Sequence, residues 1–327
     1  MDRNSPEIDI AWRPAYEERA HAEVIGQTTI RPIAVGTPSP PTEPVPIHNS
    51  YRPLPFRPDT VVDGWTQGGV SVRGASLRGH LHRFNGAPRE DDFAIHRLAD
   101  GRVVLLVADG VSEAQQSHLG SAIAVRSAAE WLHKSLARET AATDWQLCFA
   151  SVAWALNEHA QRLLNLSDPD PVATEQHFAT TLVCAVVEEI ALDALRVHVA
   201  AVGDSTAWLL SDGIFHDLLA DGNSPLSPLT SSEVTALPRV PSNIFATVVD
   251  VYPGDVLLVG TDGFGDPLGG GEGGVGNLFR DVLNGRTVPS LVEFAHALDF
   301  SREAFDDDRT LVAAWPADKR GAIGGNR

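Results

Sequence analysis

Apolar runs in this chain break off, one after another, at acidic residues. Residues 103–108 are wholly apolar and lead into Asp109-Gly110. Residues 256–259 lead into Thr261-Asp262-Gly263, and 200–202 into Gly203-Asp204-Ser205. In the opposite sense, Glu90-Asp91-Asp92 opens the run 93–98, and Asp307-Asp308 opens 310–315. Strand interiors exclude unpaired charge, so acids at strand ends are where charge gathers without being buried alone. If these ends converge in space, they form an all-oxygen pocket suited to a hard divalent cation such as Mg²⁺ or Mn²⁺.

The chain of 327 residues is long enough for one large domain or two small ones. A net charge of −18 argues against a general nucleic-acid binder, which needs a basic face. Cys148 and Cys184 have no CxxC neighbour, so zinc and thiol redox motifs are absent from the sequence. Residues 1–4 lead into no apolar stretch, so no signal peptide is expected. No window approaches the roughly 18 apolar residues of a membrane span. The expectation is a cytoplasmic protein without nucleic-acid or membrane partners.

Residues 1–60 differ from the rest. Nine prolines between Pro32 and Pro58 crowd a stretch with little apolar periodicity. Such a segment buries too little surface to offset its ordering entropy. It reads as a Pro-rich, disordered arm, with a short helix possible over 15–25; the alternative is an arm that packs on the domain or docks a partner. Residues 61–316 read as the folded domain, and 317–327 as a mobile tail. Period-2 and continuous apolar runs predict strands at 70–75, 93–98, 102–108, 180–187, 195–202, 207–210, 214–218, 244–249, 256–259 and 310–315. Helical spacing predicts helices at 118–136 and 145–166, the second capped by Thr143 or Asp144, and further helices at 278–283 and 290–304. Strands in runs with helices in separate pairs predict an α+β fold with antiparallel sheets covered by helices.

Singly, each acid motif is a common turn; the set carries the argument. Clustered carboxylates repel unless cations compensate, and a metal pair bridged by one carboxylate would resolve the repulsion. Other motifs lack context. Residues 271–276 fit the dinucleotide fingerprint letter by letter but follow no strand of a β-α-β unit, so they read as a loop. His118, His133, His159 and His177 show no paired metal-ligand spacing. Ser112 and Ser117 lack the Gly-x-Ser-x-Gly elbow of a serine hydrolase.

Glu90-Asp91-Asp92-Phe93, Ala108-Asp109-Gly110, Ala179-Thr180-Thr181-Leu182, Val202-Gly203-Asp204-Ser205, Thr261-Asp262-Gly263 and Asp307-Asp308-Arg309-Thr310 occur in an order that resembles the metal-dependent protein phosphatase 2C family, in its bacterial-like branch. The resemblance spans roughly residues 70–315. It implies a four-layer α-β-β-α sandwich, two antiparallel sheets flanked by helix pairs. It implies two Mn²⁺ or Mg²⁺ ions, with Asp109, the Gly110 carbonyl, Asp262 and Asp308 as ligands and Glu90 and Asp91 holding metal-bound waters. Asp92 matches a variable position, and Asp204 with Thr180-Thr181 match structural motifs. The implied reaction is hydrolysis of phosphoserine or phosphothreonine in proteins by a metal-activated water, without a phosphoenzyme. The implied partners are a phosphorylated protein and a cognate serine/threonine kinase.

The chain departs from the pattern at three places. His82 stands where the family commonly has a phosphate-binding arginine, so His82 and Arg83 become the phosphate-binding candidates. Val111 follows Asp-Gly where some members have histidine, which leaves the leaving-group proton to a metal-bound water or to His82. Gln176 stands where bacterial members often have the Asp that binds a third metal, with Glu175 adjacent, so a third ion stays open. These departures also motivate a rival reading, a non-catalytic phosphatase-like module that binds phosphoprotein or kinase partners.

Overall fold

The structure, a computed structural model, describes residues 32–40, 43–48, 50–51, 57–137, 143–191, 193–220, 235–284 and 287–317. The short helix expected over 15–25 lies outside the described residues, as do parts of the proline-rich stretch and nearly all of the expected tail. In chain order the elements begin with β1 (Thr60–Gln67), β2 (Val70–Leu77), α1 (His80–Asn85), β3 (Asp92–Arg97) and β4 (Val103–Ala108). There follow α2 (Ser117–Leu136), α3 (Trp145–Leu164), α4 (Pro171–Phe178), β5 (Leu182–Ala191) and β6 (Ala194–Val202). Next come β7 (Thr206–Ser211), β8 (Ile214–Asp217), β9 (Ala246–Val251) and β10 (Val256–Gly260). The last are α5 (Asp262–Leu268), α6 (Gly274–Leu283), α7 (Leu291–Leu298) and β11 (Arg309–Pro316).

The strands form two sheets, β1-β2-β11-β10-β7-β8 and β3-β4-β5-β6-β9. Every strand pairing is antiparallel. Period-2 geometry explains why the central strands are apolar throughout: each is covered on both faces. In β4, Val104, Leu106 and Ala108 pack under α2 and α3, while Val103, Leu105 and Val107 fill the space between the sheets. In β10, Leu257 and Val259 point between the sheets, and Val256 and Leu258 point to the layer that holds α5, α6 and α7. In β11, Val312 and Ala314 face inward, and Leu311, Ala313 and Trp315 face the helices. Three apolar layers therefore alternate with two sheets, and the expected four-layer sandwich is the observed fold. No helix among the described residues is long and apolar enough to cross a membrane.

Besides α1, which the sequence reading did not expect, four helices depart from it, each for a local reason. Asp170 caps α4 by accepting from the amides of Val172 and Ala173, and Pro171 supplies the first turn, a start signal in a stretch with little apolar pattern. α5 carries Gly263, Gly265 and Pro267, residues of poor helix propensity, and is held by its packing, with Phe264 wholly buried. α6 starts at Gly274, inside the glycine-rich stretch read as a loop. α7 opens with the capping box of Ser290 and Glu293 but ends at Leu298, so 299–308 leave the helix to form the approach to β11. Of the two caps considered for α3, Asp144 is the one used, accepting from the Leu147 amide at 2.9 Å.

A ladder of edge-to-face aromatics fixes the outer layer beside β10 and β11. Trp208 meets Phe264 at 5.4 Å between centroids, Phe264 meets Phe279 at 4.9 Å, and Phe279 meets Phe300 at 6.3 Å. Phe279 is fully buried in the middle of the ladder. Replacing Phe279 by Ala is expected to lower stability by about 3–5 kcal/mol, read as a shifted midpoint in urea unfolding. An unchanged midpoint would contradict the ladder's role.

Candidate active site

Strand pairing brings the acid-bearing ends together at one end of the sandwich. In one sheet, Asp92 pairs with Ala108, which sets residues 90–92 beside Asp109. In the other, Gly260 pairs with Leu311, and the Thr261 amide donates to the Thr310 carbonyl at 3.1 Å, which sets Asp262 beside 307–308. The sheets are tied across the gap by the Thr261 hydroxyl, which donates to Asp91 Oδ2 at 2.9 Å. Thr180 and Thr181 hold the Asp109 backbone: the Asp109 carbonyl accepts from the Thr181 amide at 2.8 Å and the Thr180 hydroxyl at 2.6 Å, and the Asp109 amide donates to Thr181 Oγ1 at 3.0 Å.

A cavity of about 730 Å³ opens at this end, within the usual size range of ligand sites. Asp109, Gly110, Asp204, Asp262 and Asp307 line it. Val111, Glu175, Gln176 and Arg239 form part of its rim. Among the described residues, Arg239 is the one cation on its wall, and it is ion-paired with Glu175. Asp262 and Asp307 also border a second cavity of about 380 Å³, together with Leu81, Pro267 and Phe305.

Burial and mutual repulsion raise the carboxylates here. Burial, the Asp91 charge and the Asp262 charge hold the Asp109 carboxyl well above its ordinary range. Burial, followed by Asp308 and Asp307, does the same to Asp91. Desolvation at the cavity mouth and the Asp308 charge push Asp307 up to about 6. Burial, with Asp262 nearby, raises Asp204. Asp262 Oδ1 and Glu90 Oε2 are buried with no hydrogen-bond partner among the described residues. Buried acceptors left without donors, in a set made only of oxygens, fit a hard divalent cation.

Asp308, a ligand candidate by its sequence position, is surrounded by hydrogen-bond donors. Its Oδ1 accepts from the Gly79 amide at 2.6 Å and from His82 Nδ1 at 3.0 Å, and its Oδ2 accepts from the Glu90 amide at 2.5 Å. Burial opposes ionisation, but the His82 hydrogen bond and charge outweigh it and hold Asp308 below its ordinary pKa. Asp308 does not line the cavity; its neighbour Asp307 does. Adjacent residues of an extended segment point opposite ways, so Asp307 and Asp308 meet different surroundings. One donor atom each of His82, Asp307 and Asp308 lie within 4.8 Å of one another, so the two aspartates remain close.

The phosphate-binding candidates stand back from the cavity wall. Arg83 is held by Asp59 at 2.9 Å and Asp299 at 2.9 Å, and His82 is buried against Asp308. Glu90 and Asp91 are buried and do not line the cavity, and Asp91 accepts from the Thr261 hydroxyl. Sequence reasoning missed Asp307 as the lining carboxylate, the cavity position of Asp204, and two buried arginines, Arg57 and Arg89. Both arginines donate to the Asp91 carbonyl, at 2.6 and 2.8 Å. An arginine next to the Glu-Asp motif was the one available signal. Two glycines allow the backbones to meet: a Cβ on Gly263 would lie 1.8 Å from the Asp308 carbonyl oxygen, and one on Gly79 would lie 2.2 Å from the Asp307 carbonyl carbon.

A two-sheet sandwich whose strand ends deliver carboxylates into one cavity defines a class of acid-lined sites fit for hard cations. The family model of protein phosphatase 2C matches residues 78–298, and the chain belongs to that family. It is therefore an enzyme of the protein serine/threonine phosphatase class, with phosphoproteins as substrates. No curated protein matches the sequence significantly. Among solved structures, a bacterial serine phosphatase is similar at 18% identity, covering 75% of this chain and 97% of its own, with a TM-score of 0.54. The catalytic domain of the serine/threonine phosphatase PstP, solved with two manganese ions, is similar at 21% identity, 76% and 99% coverage and a TM-score of 0.51. Stp1 from Staphylococcus aureus gives 17%, 75%, 94% and 0.51.

The raised groups lead to an expected pH dependence for the protein without metal. Burial raises Glu90 to about 8 from 4.5 despite His82, with Asp308 adding to the rise. Burial alone would lower His82, but Asp308 and Glu90 raise it to about 9 from 6.5. Both shifts are upward, so the folded state binds more protons than the unfolded chain and stability falls as pH rises. The Glu90 contribution is complete below about pH 4.5 and lost through about 8; the His82 contribution is complete below 6.5 and lost through about 9. Thermal unfolding in EDTA is expected to show a Tm that falls from pH 6.5 to 9. A flat or rising Tm would contradict this electrostatic arrangement.

Proposed function

We propose that the chain hydrolyses phosphoserine and phosphothreonine in proteins, using two Mn²⁺ or Mg²⁺ ions held by Asp109, the Gly110 carbonyl, Asp262 and Asp307. The observation that carries this reading is the charge of the cavity. Four aspartates line it, and its one arginine is committed to Glu175. A phosphate dianion is repelled by such a wall, so substrate binding requires cations that the side chains do not supply. The two manganese ions of PstP, on the same fold, support a pair of ions.

Bound there, the cations would supply an activated water for direct attack on phosphorus without a phosphoenzyme, and would offset charge on the phosphoryl oxygens. The chain's own residues arrange the rest. Asp109, held by Thr180 and Thr181, keeps a fixed carboxylate between the two sheets. Glu90 and Asp91 orient what the lining carboxylates hold, from one layer behind. Asp308 braces His82 and the Gly79 and Glu90 amides, and is reassigned from ligand to brace. With Glu175 ion-paired and Gln176 neutral, a third ion is not part of the proposal. The reaction that must supply the substrate is transfer of phosphate to a seryl or threonyl hydroxyl, the work of an opposing protein kinase.

Turnover of p-nitrophenyl phosphate with Mn²⁺ is the direct test. EDTA is expected to abolish it, and Asp109→Asn, Asp262→Asn and Asp307→Asn are each expected to lower kcat on the order of 10²-fold or more. Asp308→Asn is expected to keep more activity than Asp307→Asn. Metal-independent turnover, or full activity in the lining variants, would overturn the reading. Phosphopeptide binding without turnover would favour the non-catalytic module instead.

A further inference from the structure

The family match begins at residue 78, yet groups from the proline-rich segment before it reach both acid-bearing loops. Arg57 is 7% exposed. Its Nη2 donates to the Arg89 carbonyl at 2.9 Å and the Asp91 carbonyl at 2.6 Å, and its Nε donates to the Arg89 carbonyl at 3.2 Å. Its Nη1 meets Asp92 Oδ2 at 3.0 Å. The guanidinium thus spans Glu90, gripping the backbone on either side of it.

A second set of bonds reaches the loop from the other sheet. The Val35 amide donates to the Ser301 carbonyl at 3.0 Å, the Ser301 amide to the Ile33 carbonyl at 2.7 Å, and the Glu303 amide to the Thr37 carbonyl at 2.7 Å. The Ser39 amide donates to Ser301 Oγ at 2.9 Å, and the buried Ser39 hydroxyl donates to the Asp306 carboxylate, one residue before Asp307. Between these anchor points, the Val45 amide donates to the Arg83 carbonyl at 3.0 Å and the His48 amide to the Gly86 carbonyl at 2.8 Å, flanking the α1 turn that carries His82.

We propose that Arg57 and Ser39 are positioning residues of the phosphatase site: Arg57 clamps the Glu90-Asp91 loop and the described residues 33–39 clamp the Asp306-Asp307 loop in their cation-binding arrangement. The physical need is plain. Both loops end in carboxylates that repel one another across the sheets, and a loop free to relax would carry its acids outward. Arginine suits the task because its planar fork meets several oxygens at once while neutralising buried acid charge; lysine keeps the charge and loses the fork. The proposal rests on the metal-dependent reading above for its effect on cation affinity, but not for its effect on loop rigidity.

The test uses the full chain with Arg57→Ala, Arg57→Lys and Ser39→Ala. Mn²⁺ affinity is read by calorimetry, amide hydrogen exchange is read in EDTA, and kcat and KM are read on p-nitrophenyl phosphate. Arg57→Lys is expected to fold, to weaken Mn²⁺ binding by about tenfold, and to lower kcat with little change in KM. Its exchange at Glu90 is expected to quicken, Arg57→Ala to exceed it in every effect, and Ser39→Ala to quicken exchange at Ser301 and Glu303. A folded Arg57→Lys protein with wild-type Mn²⁺ affinity and wild-type exchange would overturn the proposal, as would variants that lose only thermal stability. If Arg57→Ala does not fold, Arg57→Lys and Ser39→Ala decide. If the wild type binds no Mn²⁺, the metal-dependent reading fails by itself, and exchange at Glu90 and Ser301 still decides the clamp.

Discussion

Like-charge repulsion at one end of the sandwich is the constraint on which the rest of this structure depends. Asp91, Asp109, Asp262, Asp307 and Asp308 arrive there from two different sheets; burial with Asp308 and Asp307 pushes Asp91 well above its ordinary pKa, and burial with Asp91 and Asp262 does the same to Asp109. Such a cluster opens unless backbones are held or cations enter. The fold supplies the first remedy, and the proposed function the second. Asp308 is neutralised within the chain, by His82 and by the Gly79 and Glu90 amides. Asp109, Asp262 and Asp307 are left facing the cavity, where the proposed cations would offset their charge.

Rigidity for this arrangement comes from the layers beneath it. The strands that end at Asp109 and Asp262 are buried on both faces, so their ends cannot shift without disturbing two apolar layers at once. The loops have no such core. They are held by hydrogen bonds instead: Thr180 and Thr181 on Asp109, Thr261 on Asp91, and Arg57 and Arg89 on the Asp91 carbonyl. Close backbone approaches at Gly79 and Gly263 allow the 306–308 segment to lie against both neighbours, where any side chain would collide with its carbonyls.

Much of this was legible before the structure. The apolar runs of β4, β10 and β11 announce doubly covered strands, and their acidic ends announce the site. Legibility failed where packing overrules local preference. α5 is a helix of glycines and a proline, formed because Phe264 is buried in the aromatic ladder. It failed again at Asp307 and Asp308, where two identical side chains in succession differ only in the face they take. Proline content suggested a disordered arm, with an arm packed on the domain as the alternative; the described residues 33–39 bond to 301–306 across 262 or more positions of sequence, and no periodicity encodes such partners.

The sequence by itself determined which chemistry was favoured: carboxylate oxygens at strand ends, a strongly acidic charge balance, no CxxC or paired-histidine motif, and an order of short motifs shared with protein phosphatase 2C. Those properties are local, set by composition and by the alternation along each strand. Only the tertiary structure decided which acid faces the cavity, that His82 pairs with Asp308, that Arg83 is spent on Asp59 and Asp299, and that Arg57 reaches under Glu90. The reason is physical. A side chain's charge partner is chosen by distance and desolvation in three dimensions, and both are fixed only when the two sheets close on their shared core.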